Sequence, residues 1–169
     1  MTVATRKSKE KAQFGDFQTP EGLAIAAVKL LSRLGIKPGT VIEPTCGTGT
    51  FLAAGATVFQ DAEEFVGLDI NASHLEAARI KIASVPGSSR VSLSEADFFE
   101  TDWRQTLSAC PTPFLILGNP PWVTSSELGS LASVNLPVKS NIQGHAGIDA
   151  ITGKSNFDIS EWILQRYLT

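Results

Sequence analysis

The sequence predicts an α/β domain built on a parallel sheet, and three observations support this. The 169 residues suit one domain with a real core, and 43% hydrophobic against 18% charged residues is typical of a globular protein. Short apolar segments alternate with longer segments of helical pattern along most of the chain. Strands that alternate with helices favour parallel pairing, because each helix returns the chain to the same end of the sheet.

The first predicted helix follows a polar N-terminus. Residues 1–13 are charged and without apolar pattern, so we expect a flexible tail there and a domain over residues 14–169. Thr19 is predicted to cap a helix whose first residue is Pro20, a position that suits proline. The helix is expected to end near Gly35 and Pro38. Its predicted buried face consists of Leu23, Ala27, Leu30, Leu31 and Leu34.

Four strands and two further helices are predicted after this helix. One helix covers residues 50–59, and the other is capped by Asn71 and runs to about Ser84. His74 is expected on an exposed turn of that second helix, without a catalytic role. The predicted strands are residues 40–44, 64–70, 91–97 and 113–118.

The C-terminal part has a weaker pattern. Residues 119–154 contain Pro, Gly, Ser and Asn throughout, without a clear period. A segment that long inside a compact domain is usually functional or disordered. A last helix is predicted to begin at Ser155 or Asp158.

Charge and cysteine content exclude several classes of protein. The formal net charge of -3 gives no broad basic face, so nucleic-acid affinity would need a local patch or a further part. Cys46 and Cys110 have neither the spacing of a metal site nor that of a disulfide framework, which is typical of the reducing cytoplasm. No apolar leader is visible, and the longest apolar stretch, residues 23–31, is too short to span a bilayer. We therefore expect a cytoplasmic protein without metal or membrane contact.

A glycine loop follows the first predicted strand. The sequence EPTCGTGT places Gly47 and Gly49 between this strand and a helix. Glycines there let the backbone approach a ligand, and the helix N-terminus offers unpaired N–H groups. A tight strand-to-helix turn explains the two glycines equally well. The candidate cofactor-binding residues of this loop are Thr45, Cys46, Gly47 and Gly49.

Carboxylates end three of the predicted strands: Glu43, Asp69 and Asp97. Because the carboxyl ends of parallel strands line one crevice, we expect the three acids to lie along a ligand-binding edge. For each acid taken alone, a solvated residue at a strand end is the alternative. Together they would repel a pyrophosphate but tolerate a ligand with a cationic amine and a ribose. S-adenosylmethionine is such a ligand.

Each candidate residue then has an expected contact with that cofactor. Glu43 can meet the ammonium group or orient the loop, and Asp69 can accept from the ribose hydroxyls. Asp97 can accept from the adenine amino group, while Ile70 and Phe98 can sandwich the ring.

Five segments in order resemble the amino-methylating, adenine-specific DNA methyltransferases of restriction–modification systems, in the group whose cofactor motif precedes the catalytic motif. The segments are FQTP (17–20), EPTCGTGTFL (43–52), GLDIN (67–71), EADFF (95–99) and NPPW (119–122). The resemblance covers about residues 14–168. It implies a Rossmann-like, S-adenosylmethionine-dependent fold and methyl transfer to adenine N6, and it puts Thr19 and Pro20 near the methionine end of the cofactor. Methyltransferases of protein glutamine or RNA share NPPW and stay open as alternatives, although FQTP favours DNA.

The NPPW segment matches the needs of the implied reaction. Adenine's amine is a poor nucleophile, and acceptors on both of its N–H bonds would aim its lone pair at the methyl group. Asn119 supplies an amide oxygen and Pro120 a main-chain carbonyl, and the fixed φ of Pro120 and Pro121 stiffens this pair. Trp122 can stack on an adenine flipped out of double-stranded DNA.

The resemblance also implies that the chain is the N-terminal part of a catalytic domain. The family continues with further strands and a target-recognition domain, so the fourth strand is expected to have an unpaired outer edge. A catalytically inactive module that needs a partner chain is therefore a third alternative. The expected partners are double-stranded DNA, a specificity or restriction subunit, and the remaining C-terminal portion.

Overall fold

A four-stranded parallel sheet organises residues 18–120, the part of the chain that the computed structural model describes. Its order is β3-β2-β1-β4, the arrangement of a doubly wound, Rossmann-like sheet. The α/β class and the four strands are thereby confirmed. The expected tail, the segment after Pro120 and the last helix lie outside the described residues. The strands are β1 (Thr40–Glu43), β2 (Glu64–Asp69), β3 (Val91–Glu95) and β4 (Phe114–Ile116).

Helices connect these strands. The described helices are α1 (Glu21–Arg33), α2 (Thr50–Val58), α3 (Ala72–Ala83) and α4 (Trp103–Leu107), with a 3-10 turn at Ser88–Arg90. The predicted cap of α3 is confirmed, because Asn71 Oδ1 accepts the N–H of Ser73 at 3.0 Å. The short helix α4 was not predicted, and the side chain of Asp102 caps it by accepting the N–H of Gln105 at 3.0 Å.

Helix α1 begins one residue later than predicted. Pro20 has φ -58° and ψ 137°, so it is extended and precedes the helix as its N-cap. Its carbonyl accepts from Leu23 N at 3.0 Å and from Ala24 N at 3.1 Å. The prediction that Thr19 caps the helix is therefore wrong, and no side chain among the described residues takes that role.

The buried face of α1 also differs from the prediction. Ala24 and Val28 are fully buried, whereas Leu23, Leu30 and Leu34 are 61%, 56% and 69% exposed. Helix α1 packs against α2, which consists largely of alanine, glycine and threonine. Because the separation of two helices depends on the side chains between them, the small face of α1 gives the closer contact.

Apolar side chains cover the sheet on both faces within residues 18–120. On one face, residues of α1, α2 and α3 form the larger cluster with Val41 and Phe65. On the other face, Ile42, Val66 and Leu68 pack with residues around α4. Strands β1 and β2 are buried almost throughout, as central parallel strands should be. No helix in this part of the chain has the length and apolar character to cross a membrane.

Candidate functional site

The strand order places a crevice at the carboxyl ends of β1 and β4. The chain continues from β1 to β2 on one side and returns at β4 on the other, and open α/β sheets bind ligands at such a switch point. Glu43 ends β1, and Leu117 N donates to Ile42 O at 2.9 Å. A Cβ built on Gly118 would lie 3.7 Å from Cγ of Glu43. The structure therefore brings Glu43 beside the residue that precedes Asn119.

The glycine loop between β1 and α2 needs both of its glycines. Gly47 has φ +51° and Gly49 has φ +71°, in the left-handed region that side chains rarely adopt. A Cβ on Gly49 would lie only 3.0 Å from Cβ of Ala78 on α3. Cys46 N donates to Leu68 O at 2.7 Å, which ties the loop to β2. The loop is thus held tightly between β2 and α3.

Backbone N–H groups of the loop are already paired within the protein. Gly47 N donates to Asp69 Oδ2 at 2.7 Å, and Thr48 N donates to Gln18 Oε1 at 3.3 Å. Gly49 N donates to Cys46 O at 2.7 Å, and the N–H of Leu52 donates to Glu43 Oε2 at 3.1 Å. The expectation that this helix start offers unpaired N–H groups is wrong for these four residues. They form no phosphate cradle.

Asp69 is the last residue of β2, which pairs with β1 at this edge of the sheet. Its Oδ2 accepts from Gly47, and its Oδ1 accepts from Asn71 N at 2.8 Å. His74 Nδ1 lies 3.5 Å from the same Oδ1. Each carboxylate oxygen has two lone pairs, so Oδ2, which accepts from Gly47 N, has the capacity for a second hydrogen bond. The side chain thus joins the glycine loop to the start of α3.

Glu43 is a buried acid with a perturbed pKa. Burial raises its pKa well above the ordinary value; the hydrogen bond from Leu52 and the charge of Lys81 oppose this effect, while the charge of Asp69 adds to it. A cation brought beside this carboxyl would favour its charged form. Burial likewise raises the pKa of the Cys46 thiol, so this cysteine stays neutral at physiological pH.

Asp97 follows β3 at the same edge. Its Oδ1 accepts from Phe99 N at 2.7 Å, and Ala96 N donates to Asp69 O at 3.1 Å, which joins the ends of β2 and β3. The ring of Phe98 is only 5% exposed, and its centroid lies 5.4 Å from that of Trp103. Ile70 is 41% exposed. Of the two residues expected to sandwich an adenine ring, Ile70 therefore offers more surface.

The structure places predicted residues at the carboxyl ends of all four strands: Glu43 and Asp69 end β1 and β2, and Asp97 and Asn119 follow β3 and β4 within three residues. Thr45 and Cys46 lie in the loop, half-buried and buried, while Thr19 and Pro20 precede α1. Pro120 is the last described residue, so Pro121 and Trp122 lie outside the described part. A cavity of about 400 Å³ lies elsewhere, between α1, α2 and α3, and it includes none of the strand-end acids.

Two residues near this site, His74 and Gln18, were not predicted correctly from the sequence. His74 is only 18% exposed, so the expectation of an exposed turn is wrong. The predicted Asn71 cap could have indicated that His74 is partly buried, because a capped helix start places its first turn against the end of the preceding strand. The side chain of Gln18 accepts from Thr48, which lies 30 positions further along the sequence. No local pattern in the sequence indicates this contact.

Two curated proteins are similar in sequence to this chain, while no family model matches it. The Type II methyltransferase M.NspV from Nostoc sp. is 43% identical over 158 residues, which cover 94% of this chain and 33% of that protein. The Type II methyltransferase M.CvrRI from Paramecium bursaria Chlorella virus XZ-6E is 28% identical over 116 residues, covering 69% and 26% respectively. The chain thus spans about a third of the first relative's length and about a quarter of the second's.

A solved structure supports the same fold. The crystal structure of a proposed RNA methyltransferase, PH1948 from Pyrococcus horikoshii, matches with a TM-score of 0.50 and 16% identity. The match covers 65% of this chain and 50% of that one. At this identity the likeness shows the fold alone, which is the Rossmann-like fold of methyltransferases.

Proposed function

Since the chain is a relative of the type II methyltransferases over 94% of its length, we propose that it carries the cofactor-binding part of a DNA methyltransferase. The methyl donor is S-adenosylmethionine. The target is the N6 amine of an adenine flipped out of double-stranded DNA. The strand-end acids support the choice of cofactor, and the segment after β4 supports the choice of target.

The acceptor-rich edge of the sheet carries the proposal. The N–H groups of Gly47, Thr48, Gly49 and Leu52 are engaged within the protein. The side chains of Glu43, Asp69 and Asp97 stand at the strand ends, and their negative charges are unfavourable neighbours for a phosphate. S-adenosylmethionine brings an ammonium group, two ribose hydroxyls and an adenine amino group, so its donors fit these acceptors.

We assign one group of the cofactor to each acid. Asp69 accepts from the ribose hydroxyls through the lone pair of Oδ2 that Gly47 leaves. Glu43 receives the ammonium group, whose charge offsets the cost of burying the carboxylate. Asp97 accepts from the adenine amino group, and Ile70 covers one face of the ring. Thr19 and Pro20 lie toward the methionine end.

The residues after β4 orient the target amine. The bound cofactor supplies a methyl group that its sulfonium already activates. The side-chain oxygen of Asn119 and the carbonyl of Pro120 accept hydrogen bonds from the two N–H groups of the amine. This arrangement aims the nitrogen lone pair at the methyl carbon. With the cofactor bound, the amine nitrogen would take the methyl carbon, the C–S bonding pair would stay with sulfur, and the nitrogen would release one proton to water. Trp122 stacks on the flipped base.

DNA recognition is assigned to other parts of the assembly. The net charge of -3 provides no general attraction for phosphates. We infer that a target-recognition region or a specificity subunit supplies most DNA contacts and the choice of sequence. Restriction activity would belong to a separate partner, and the protein would act in the cytoplasm.

A methyl-transfer assay tests the proposal. The natural full-length protein is incubated with S-adenosylmethionine labelled in its methyl group and with unmethylated DNA, and the nucleosides are identified by mass spectrometry. Labelled N6-methyladenine is the expected product. Labelled cytosine would reject the adenine assignment, and label in RNA or protein alone would favour one of the same-fold alternatives. The Asn119→Ala protein is the negative control.

A further inference from the structure

Gln18 connects the start of α1 with the glycine loop. Its Oε1 accepts from Thr48 Oγ1 at 2.8 Å and from Thr48 N at 3.3 Å. One side-chain oxygen therefore engages both the hydroxyl and the backbone of Thr48. Two segments far apart in sequence are joined directly at the candidate cofactor site.

The amide of Gln18 also lies against the loop itself. A Cβ built on Gly47 would meet Gln18 Nε2 at 3.0 Å and Gln18 Oε1 at 3.1 Å. Gly47 in turn donates its N–H to Asp69. Successive N–H groups of the loop are thus held by different side chains, the first by Asp69 and the second by Gln18.

This arrangement matters because the two glycines do not by themselves select one backbone conformation of the loop. Gly47 and Gly49 both have positive φ, and glycine has access to many other conformations. Contacts outside the loop must therefore select the observed one. Asp69 holds the N–H of Gly47, whereas the N–H and the hydroxyl of Thr48 are held by Gln18.

We propose that Gln18 is a positioning residue that holds the glycine loop in the conformation that binds the methyl donor. The inference rests on the proposed function and adds a determinant of cofactor affinity to it. Gln18 acts through its oxygen as an acceptor for Thr48. Without this acceptor, the hydroxyl and N–H of Thr48 would be hydrated. The loop could then leave the conformation in which Gly47 donates to Asp69.

Calorimetric titration of the full chain with S-adenosylhomocysteine tests the proposal. We expect Gln18→Ala and Thr48→Val each to weaken binding about 3- to 10-fold, the range of one or two lost hydrogen bonds. The double variant should be about as weak as Gln18→Ala alone, because Gln18→Ala already removes the contacts of both the hydroxyl and the N–H of Thr48, whereas Thr48→Val removes only the hydroxyl contact. Gln18→Glu keeps an acceptor oxygen and should bind within about 3-fold of wild type, as should Thr48→Ser, which keeps the hydroxyl.

Two further measurements separate positioning from general stability. Thermal unfolding without ligand should be nearly unchanged in Gln18→Ala, as in the control Gln105→Ala, which alters an exposed glutamine on α4. Amide exchange at Thr48 should be faster in Gln18→Ala than in wild type.

Each outcome bears on a different claim. Wild-type affinity in Gln18→Ala, or losses that add in the double variant, would overturn the positioning role while leaving the cofactor site intact. A Gln18→Glu protein as weak as Gln18→Ala would also overturn it, since the acceptor oxygen would then not suffice. If folded wild-type protein does not bind the probe at all, the proposed cofactor site itself fails, and the positioning role fails with it.

Discussion

The backbone N–H of Gly47 donates to Oδ2 of Asp69 at 2.7 Å. One carboxylate at the end of β2 thereby fixes the first N–H of the glycine loop. Its second oxygen accepts from Asn71, at the start of α3. Loop geometry and helix start consequently depend on the same side chain, to which we have also assigned the ribose of the cofactor.

Replacing Asp69 should therefore impair cofactor binding strongly. Asp69→Asn keeps the size of the side chain, but its single oxygen cannot replace both carboxylate oxygens. Hydrogen bonds to charged groups contribute about 1.5–3 kcal/mol, so we expect the Kd for S-adenosylhomocysteine to rise about 10- to 100-fold. Calorimetry measures it, with Asp61→Asn as a control at an exposed acid. Equal Kd values for Asp69→Asn and wild type would contradict the assigned role.

Glu43→Gln should alter the pH dependence of stability. Because burial raises the folded-state pKa of Glu43 above its ordinary value of 4.5, its contribution to stability is lost as pH rises from that value through the folded pKa. Glutamine does not ionise, and its oxygen can still accept from Leu52. Relative to wild type, the variant should gain unfolding free energy as the pH rises above 4.5, and urea titrations over a pH series measure this gain.

The same substitution should lower cofactor affinity, because the ammonium group loses its countercharge. A stabilised protein that binds the ligand less well is the expected combination at a site where a charge is buried for function. A stability difference between variant and wild type that does not change with pH would show that Glu43 has an ordinary pKa.

Much of the ligand edge was predictable because it depends on chain order. Once Glu43, Asp69 and Asp97 were recognised at the ends of alternating strands, parallel pairing was enough to bring them together. The Asn71 cap was predictable for a similar reason, since its partner Ser73 is local in sequence. Local patterns and a single topological rule fixed this part of the site.

The remaining features depend on partners distant in sequence. The N–H groups of Gly47 and Thr48 look available in the sequence, but Asp69 and Gln18 accept from them across 22 and 30 positions. On α1, the largest apolar residues suggested a leucine face, whereas packing on α2 selected Ala24 and Val28. The sequence pattern identifies the side chains with the most favourable transfer free energy. Which of them are buried also depends on whether their shape fits the neighbouring helix.

Asn119→Ala should separate catalysis from cofactor binding. In the natural full-length protein, removal of the amide oxygen leaves the target amine with one acceptor fewer and a misdirected lone pair. Methyl transfer to DNA should fall by about 100-fold or more, the range for losing one preorganised polar group. The Kd for S-adenosylhomocysteine should stay within about 3-fold of wild type, since the residue acts on the target amine. Parallel loss of binding and transfer would instead indicate a structural role.

Ile70 should contribute to binding through its exposed apolar surface. The side chain is 41% exposed at the end of β2, directly after Asp69, and a ligand ring there would remove that surface from water. Ile70→Ala should weaken S-adenosylhomocysteine binding by roughly 5- to 30-fold, which corresponds to about 1–2 kcal/mol of apolar burial. The melting temperature of the Ile70→Ala protein should change little, because the removed atoms belong to a side chain that is already 41% exposed.

Ile80→Ala is the matched control for that experiment. Ile80 lies on α3 and is 69% exposed, so the same atoms are removed from a surface away from the strand ends. Its Kd should equal that of wild type. If both variants lose affinity equally, the effect comes from general destabilisation; if neither does, Ile70 does not cover the ring. Loss in Ile70→Ala alone would place the adenine against the end of β2, where Asp69 can reach the ribose of the same ligand.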